Sequence, residues 1–168
     1  FSAVFTDDIE TVEIFFANNQ ILFRSENISF YTRLLEGNYP DTDRLIPTEF
    51  NTEATFNVAN LRFAMERARL LSNATQNGTV KLEFKNGVVS SHVHSPEVGR
   101  VNEEIDTSAV SGEDLSISFN PTYLIEALKA IDSEQVVIRF ISSVRPFTLV
   151  PEGNEQGFIQ LITPVRTN

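Results

Sequence analysis

Apolar and polar positions alternate along this chain in runs of two kinds. Residues 11–16 (TVEIFF), 20–24 (QILFR) and 28–35 (ISFYTRLL) are short and rich in β-branched and aromatic residues. Ala17-Asn18-Asn19 is a turn signal between the first two, and Gly37 and Pro40 close the third, so three strands are predicted. Residues 41–51 carry charge, Pro47 and little periodicity, and predict a domain linker. A strand is expected at 53–58. Beyond it, Leu61, Ala64, Met65, Ala68 and Leu71 recur at i, i+3, i+4 and i+7. This is the stripe of an amphipathic helix reaching about Ser72 and capped by Asn57 or Asn60. Strands follow at 80–85, 88–94 and 98–105, the first two joined by Asn86-Gly87, a strong hairpin signal. Residues 106–113 read as a connection. A strand at 114–119, a helix at 121–131 with Pro121 in its first turn, and strands at 135–142, 145–150 and 157–163 complete the chain.

The pattern occurs twice. Phe56, Asn57, Leu61 and Ala64 match Phe119, Asn120, Leu124 and Ala127 as F-N-x-x-x-L-x-x-A. Each copy runs on into a V-x-(I/L)-x-F strand, Val80 to Phe84 and Val136 to Phe140. Each copy therefore reads β-α-β-β-β. Residues 1–35 read as the α-β-β-β part of a further copy, with Phe1, Val4 and Phe5 at helical spacing as the tail of a helix, which suggests a fragment. Two repeats related by pseudo-two-fold symmetry predict an α+β fold whose antiparallel sheets carry helices on one face.

Composition narrows the class. The chain has 168 residues, of which 41% are hydrophobic, enough for a packed core. No apolar run approaches the roughly 18–20 residues of a membrane span. The absence of cysteine excludes disulfides and thiolate metal sites. No signal-peptide pattern is seen, and a cytoplasmic protein is expected. Sequons at Asn27, Asn73 and Asn77 read as ordinary polar loops. A net charge of −10 predicts a solvated acidic surface, although nucleic-acid contact depends on local charge.

Catalytic motifs are sparse. The chain has no G-x-S-x-G, P-loop or G-x-G-x-x-G. His92 and His94, two apart on a strand, share a face and could address one ion. Asp7, Asp8 and Glu10, and Glu103, Glu104 and Asp106, form carboxylate clusters. These groups define one alternative, a small enzyme domain. Charged strand ends and a solvated face are the simpler reading, since nothing supplies a nucleophile with a base and an orienting partner. No cofactor is expected. On the first helix, Arg62, Glu66 and Arg69 lie on one face with Arg67 beside it, leaving the segment at +2 in an acidic chain. The second helix offers Lys129 near Glu126. Such a face is either simply solvated or turned toward a nucleic-acid backbone, with non-specific, salt-sensitive contact. At the other end, FIQLITPVR (158–166) is apolar almost to the last residue and predicts a tail held against the body of the protein.

Four features together resemble a known family. They are the β-α-β-β-β duplication, the Phe119-Asn120-x-x-Tyr123-Leu124 helix entry, the Gly37-Asn38-Tyr39-Pro40-Asp41 turn and the closing Pro164-Val165-Arg166. The family is the beta subunit of bacterial DNA polymerase III, the sliding clamp. The resemblance implies the DNA-clamp fold, with antiparallel sheets outside and helices on the inner face. It implies that residues 1–47 are the C-terminal half of the middle clamp domain and 48–168 the third domain. It further implies a non-catalytic processivity factor, active in the cytoplasm at the nucleoid. Two such chains would close as a homodimer ring around double-stranded DNA.

Short linear peptides of the polymerase catalytic subunit, the clamp loader and repair proteins would dock in a pocket between the last two domains. The matching pocket positions are Pro40, Arg44, Leu45, Asn120, Tyr123, Pro146, Leu161, Thr163, Pro164, Val165 and Arg166. Thr163 stands where a larger apolar residue is expected, and Pro146 where some relatives carry a small polar one. Arg62, Arg67, Arg69 and Lys129 become candidates for facing DNA. Leu70 and Leu71 match positions where the third domain meets the first domain of the other chain, with a core role as the alternative.

Overall fold

The computed structural model describes residues 11–25, 27–38, 41–72, 78–95, 99–153 and 157–166. The chain divides into two units, residues 1–41 and 42–168.

In the first unit, β1 (Glu13–Phe16), β2 (Gln20–Ser25) and β3 (Ile28–Arg33) form an antiparallel sheet in chain order. The pairs Ile14↔Phe23, Phe23↔Phe30 and Phe16↔Ile21 place five large apolar residues on one face. Leu34 still donates its N–H to the Asn19 carbonyl at 2.9 Å, after which the chain leaves the sheet, so the third strand is shorter than expected. The helix tail expected in residues 1–10 and the site position Pro40 lie outside the described residues.

The second unit opens with a single 3₁₀ turn, Thr42–Arg44. Among the described residues two helices and nine strands follow. The first repeat comprises β4 (Thr52–Asn57), α1 (Val58–Ser72), β5 (Val80–Lys85), β6 (Val88–Ser95) and β7 (Gly99–Ile105). β8 (Ala109–Gly112) links it to the second repeat, β9 (Leu115–Phe119), α2 (Pro121–Lys129), β10 (Gln135–Phe140), β11 (Phe147–Pro151) and β12 (Gln160–Ile162). The sheet orders are β12-β11-β10-β4-β8 and β7-β6-β5-β9, antiparallel throughout. Each repeat keeps its own three-strand meander and lends its first strand to the other repeat's sheet. β4 pairs with β10, and β9 pairs with β5. Neither repeat can complete a sheet alone, so the duplication and the single core are one fact.

That core is built by the matched motifs. Val80, Leu82 and Phe84 on β5, and Val136, Ile138 and Phe140 on β10, are all buried, as alternation on a half-covered strand requires. Phe84 and Phe140, equivalent residues of the two copies, meet at a centroid distance of 4.9 Å. Phe140 touches Phe147 at 5.1 Å, and Phe147 touches Phe119 at 5.1 Å. This chain of rings joins the two sheets. α1 and α2 pack on each other and bury Leu61, Ala64, Met65 and Ala68, and Leu124, Ile125, Ala127 and Leu128, against the same core. Phe56, one residue before the end of β4, and Phe119, the last of β9, are buried in the core, and the residue after each caps the helix in both copies. Asn57 Oδ1 accepts from the Asn60 N–H at 3.0 Å, and Asn120 Oδ1 from the Thr122 N–H at 2.9 Å. Asn57, not Asn60, is thus the cap of α1. No described helix is long and apolar enough to cross a membrane.

Residues 106–113, expected as a plain connection, contain β8. Its pattern is almost wholly exposed, and it exists because β4 needs a partner on its free side, where Thr52 pairs with Gly112 and Ala54 with Val110. The linker expected at 41–51 is likewise anchored, Asn51 donating its N–H to the Phe140 carbonyl at 2.8 Å. β11 starts at Phe147 rather than 145, and the residue before it is Pro146, which has no N–H to give the ladder.

Candidate functional site

The candidate peptide-pocket positions in the second unit fall on four stretches, 44–45, 120–123, 146 and 161–166, and the fold gathers the last three at one end of the core. Phe119, Phe147 and Ile162 are neighbours: the rings of the first two touch, and Phe147 pairs with Ile162. The residues next to them, Asn120, Pro146 and Thr163, therefore leave the core at one end of the unit. Beyond Thr163 the tail stays attached, since Val165 donates its N–H to the Ser118 carbonyl at 2.7 Å. The apolar run in the sequence is thus a strand, β12, followed by an extended segment lying on the edge of β9. Leu161 and Pro164 are half-buried, while Thr163 and Arg166 are exposed.

α2 starts where the tail is held. Asn120 spends its side-chain oxygen on the cap, which fixes the direction of the first helical turn. Tyr123, 61% exposed, projects from that turn. Val165 and Leu45 are also large apolar residues left in solvent, at 39% and 54%. Arg44, Leu45 and Pro146 line one cleft of about 290 Å³, together with Ile141 and Arg145. The cleft sets Leu45, Ile46, Ile141 and two prolines beside two guanidinium groups and the Glu49 carboxylate, so it offers a peptide both apolar and polar partners.

The candidate DNA-facing cations have different surroundings. α1 and α2 run antiparallel, and Arg62 and Lys129 line a common cleft of about 610 Å³ that Asp132 and Glu134 also border. Arg62 lies 3.8 Å from Glu66 one turn on, and its guanidinium rests over the Phe63 ring at 5.3 Å. Lys129 is paired with Glu126 at 2.9 Å. Arg67 forms a two-pronged ion pair with Glu103 on β7, a partner that helix periodicity does not reveal. Hydrogen bonding from Glu103 raises the Arg67 pKa above its usual value, partly opposed by desolvation, so the guanidinium is a fixed cation. No ion pair of Arg69 is found among the described residues, which makes it the cation of α1 best placed to meet an external anion. Leu70 is 72% exposed, whereas Leu71 packs against the core and has the structural role weighed as its alternative.

His92 and His94 do share a face of β6, but His92 is engaged. Its Nδ1 lies 2.7 Å from Asn102 Oδ1 and its Nε2 2.9 Å from the Ser90 hydroxyl. Among the described residues no three His, Cys, Asp or Glu side chains gather to hold a metal.

Comparison with known proteins agrees with this fold. The beta sliding clamp of Streptococcus pneumoniae is 82% identical over the whole of this chain, which spans 44% of that relative. That of Lactococcus lactis is 56% identical, again over the whole chain and 45% of the relative. The crystal structure of the DNA polymerase III beta chain from S. pneumoniae superposes with a TM-score of 0.88, covering 99% of this chain and 44% of that one. The Bacillus subtilis sliding clamp superposes with a TM-score of 0.79 at 39% identity, over 94% of this chain and 41% of the other. The chain thus spans less than half the length of the relatives it matches. The family described as DNA polymerase III beta subunit, C-terminal domain, matches residues 43–166, nearly the whole of the second unit, and the chain belongs to that family.

Proposed function

We propose that the chain is part of a DNA sliding clamp, a non-catalytic processivity factor, and that its second unit supplies a docking surface for linear peptides of polymerases, clamp loaders and repair proteins. The observation that carries this reading is the attachment of the tail to β9 through Val165 and Ser118, directly before the Asn120–Tyr123 helix entry. It gathers exposed apolar residues from distant parts of the sequence at one end of the unit. In this reading residues 1–47 belong to the middle clamp domain and 48–168 form the third. The apolar face of β1–β3 is what the rest of a middle domain would cover. Family membership sets aside the alternative of a small enzyme built on His92 and His94 or the carboxylate clusters.

The test is a fluorescence-anisotropy titration with a clamp-binding peptide taken from a polymerase catalytic subunit. Arg44→Ala, and separately deletion of residues 163–168, should each weaken binding by roughly tenfold or more, the effect of losing an interface hot spot. A thermal melt of each variant separates lost contact from lost fold. Unchanged affinity in both variants would contradict the assignment.

The same reading turns α1 and α2 toward double-stranded DNA inside a homodimer ring, with Leu70 at the contact between chains. DNA is then held by topology, and a few weak phosphate contacts suffice. In a full-length clamp, Arg67→Ala with Arg69→Ala should shorten retention on DNA. Because Glu103 already neutralises Arg67, the slope of log affinity against log salt should fall by about one rather than about two. Equal retention and an equal slope would leave α1 as an ordinary solvated helix.

A further inference from the structure

The solvent face of the four-stranded sheet carries a groove that meets the proposed peptide surface at Ser118 and extends away from it across β5, β6 and β7. Register places Ser118, Lys81, His92 and Asn102 side by side across β9, β5, β6 and β7, with His94 and Arg100 paired in the next row. These six line a groove of about 600 Å³. No carboxylate is among its described lining residues, although the chain as a whole is at −10. Glu83 borders it, 3.6 Å from Lys81 Nζ and 3.5 Å from His92 Nε2. Asn102 and Ser90 grip both nitrogens of the His92 ring, so the imidazole is a fixed wall. Arg100 and His94 are exposed, and no ion pair of either is found among the described residues.

We infer that this groove is a docking site for an extended acidic segment of a partner protein. Spacing selects the occupant. Lys81 and Arg100 are two strands and one row apart, about 12 Å between Cα atoms by sheet geometry. A single phosphate needs donors converging on one point. Two cations at this separation instead match carboxylates about four residues apart on an extended chain, which rises roughly 3.3 Å per residue. His92 on β6 lies between them, and Asn102, beside Arg100 on β7, offers its side-chain N–H groups to a peptide backbone. Two cations in a strongly acidic chain do not suit a long polyanion such as nucleic acid, whose affinity rests on many phosphate contacts.

The experiment is an anisotropy titration of the 168-residue chain with a labelled ten-residue peptide of alternating Glu and Ser, at about 50 mM salt, where exposed charges are weakly screened. The matched peptide of alternating Gln and Ser is the control. The acidic peptide should bind, the Gln peptide should not, and Lys81→Gln with Arg100→Gln should weaken binding about tenfold, the loss of two exposed ion pairs. Arg24→Gln with Arg33→Gln, which removes the same charge from the first unit, should leave the affinity unchanged. Equal binding of both peptides would overturn the inference, as would equal losses in the two double variants. Displacement of the acidic peptide by an equally charged single-stranded oligonucleotide at lower concentration would assign the groove to nucleic acid instead.

Discussion

Phe140→Ala should destabilise the second unit by about 3–5 kcal/mol, the range for removing a fully buried aromatic ring. Phe140 is wholly inaccessible and touches both Phe84 and Phe147, so its ring is the joint between the two sheets. Phe84 and Phe140 are the same residue of the two repeats, and truncating one leaves a void on the pseudo-symmetry axis that neither sheet can close by moving alone. With a total stability of about 5–15 kcal/mol, this is a large share. Urea unfolding followed by circular dichroism measures it. Phe140→Leu, which restores part of the volume, should cost clearly less. A loss below about 1 kcal/mol for Phe140→Ala would mean that the sheets are held together elsewhere.

Gly112→Ala should cost about 2–4 kcal/mol for a different reason. Gly112 ends β8 at the corner where the chain crosses from the five-stranded to the four-stranded sheet. Its φ is +99°, a region that side-chain-bearing residues rarely adopt. A Cβ there would overlap the Asn51 carbonyl oxygen and come within 2.8 Å of Thr52 Cα, both backbone atoms that cannot swing away. The same carbonyl accepts from the Glu113 N–H at 3.1 Å, so relieving the clash breaks the corner. The comparison variant is Gly87→Ala in the Asn86-Gly87 hairpin, where φ is +78° but no heavy atom lies near the added carbon. It carries strain without collision. Thermal unfolding should rank Gly112→Ala well below Gly87→Ala, and equal melting temperatures would contradict the steric account.

How much of this is legible in the sequence depends on where the determining partner lies. The V-x-(I/L)-x-F strands, the Asn86-Gly87 hairpin and the stripe of α1 can be read because their periodicity is local. The duplication can be read too, but the exchange of first strands cannot: β4 and β10 are joined by pairs such as Phe56↔Val136, set by the closed core. β8 is invisible for the same reason, being four mostly exposed residues defined by the open edge of β4. Arg67 reads as a free helix cation, and its tie to Glu103, 36 residues away, is tertiary. The tail is a middle case. Its apolar run announces that it is held, but only the structure names Ser118 as the holder. The proposed docking positions, scattered from Arg44 to Arg166, follow from family resemblance. No spacing in the chain links them.

The central claim, that the end of the second unit formed by the helix entry and the tail docks linear peptides, is tested most directly by following backbone amide resonances of this 18.9 kDa chain during titration with a polymerase-derived clamp-binding peptide. The account predicts shifts concentrated at residues 44–49, 118–123, 146–147 and 161–166, with β6 and β7 unmoved. Saturable binding whose shifts fall elsewhere, with Tyr123 and Val165 unaffected, would contradict it.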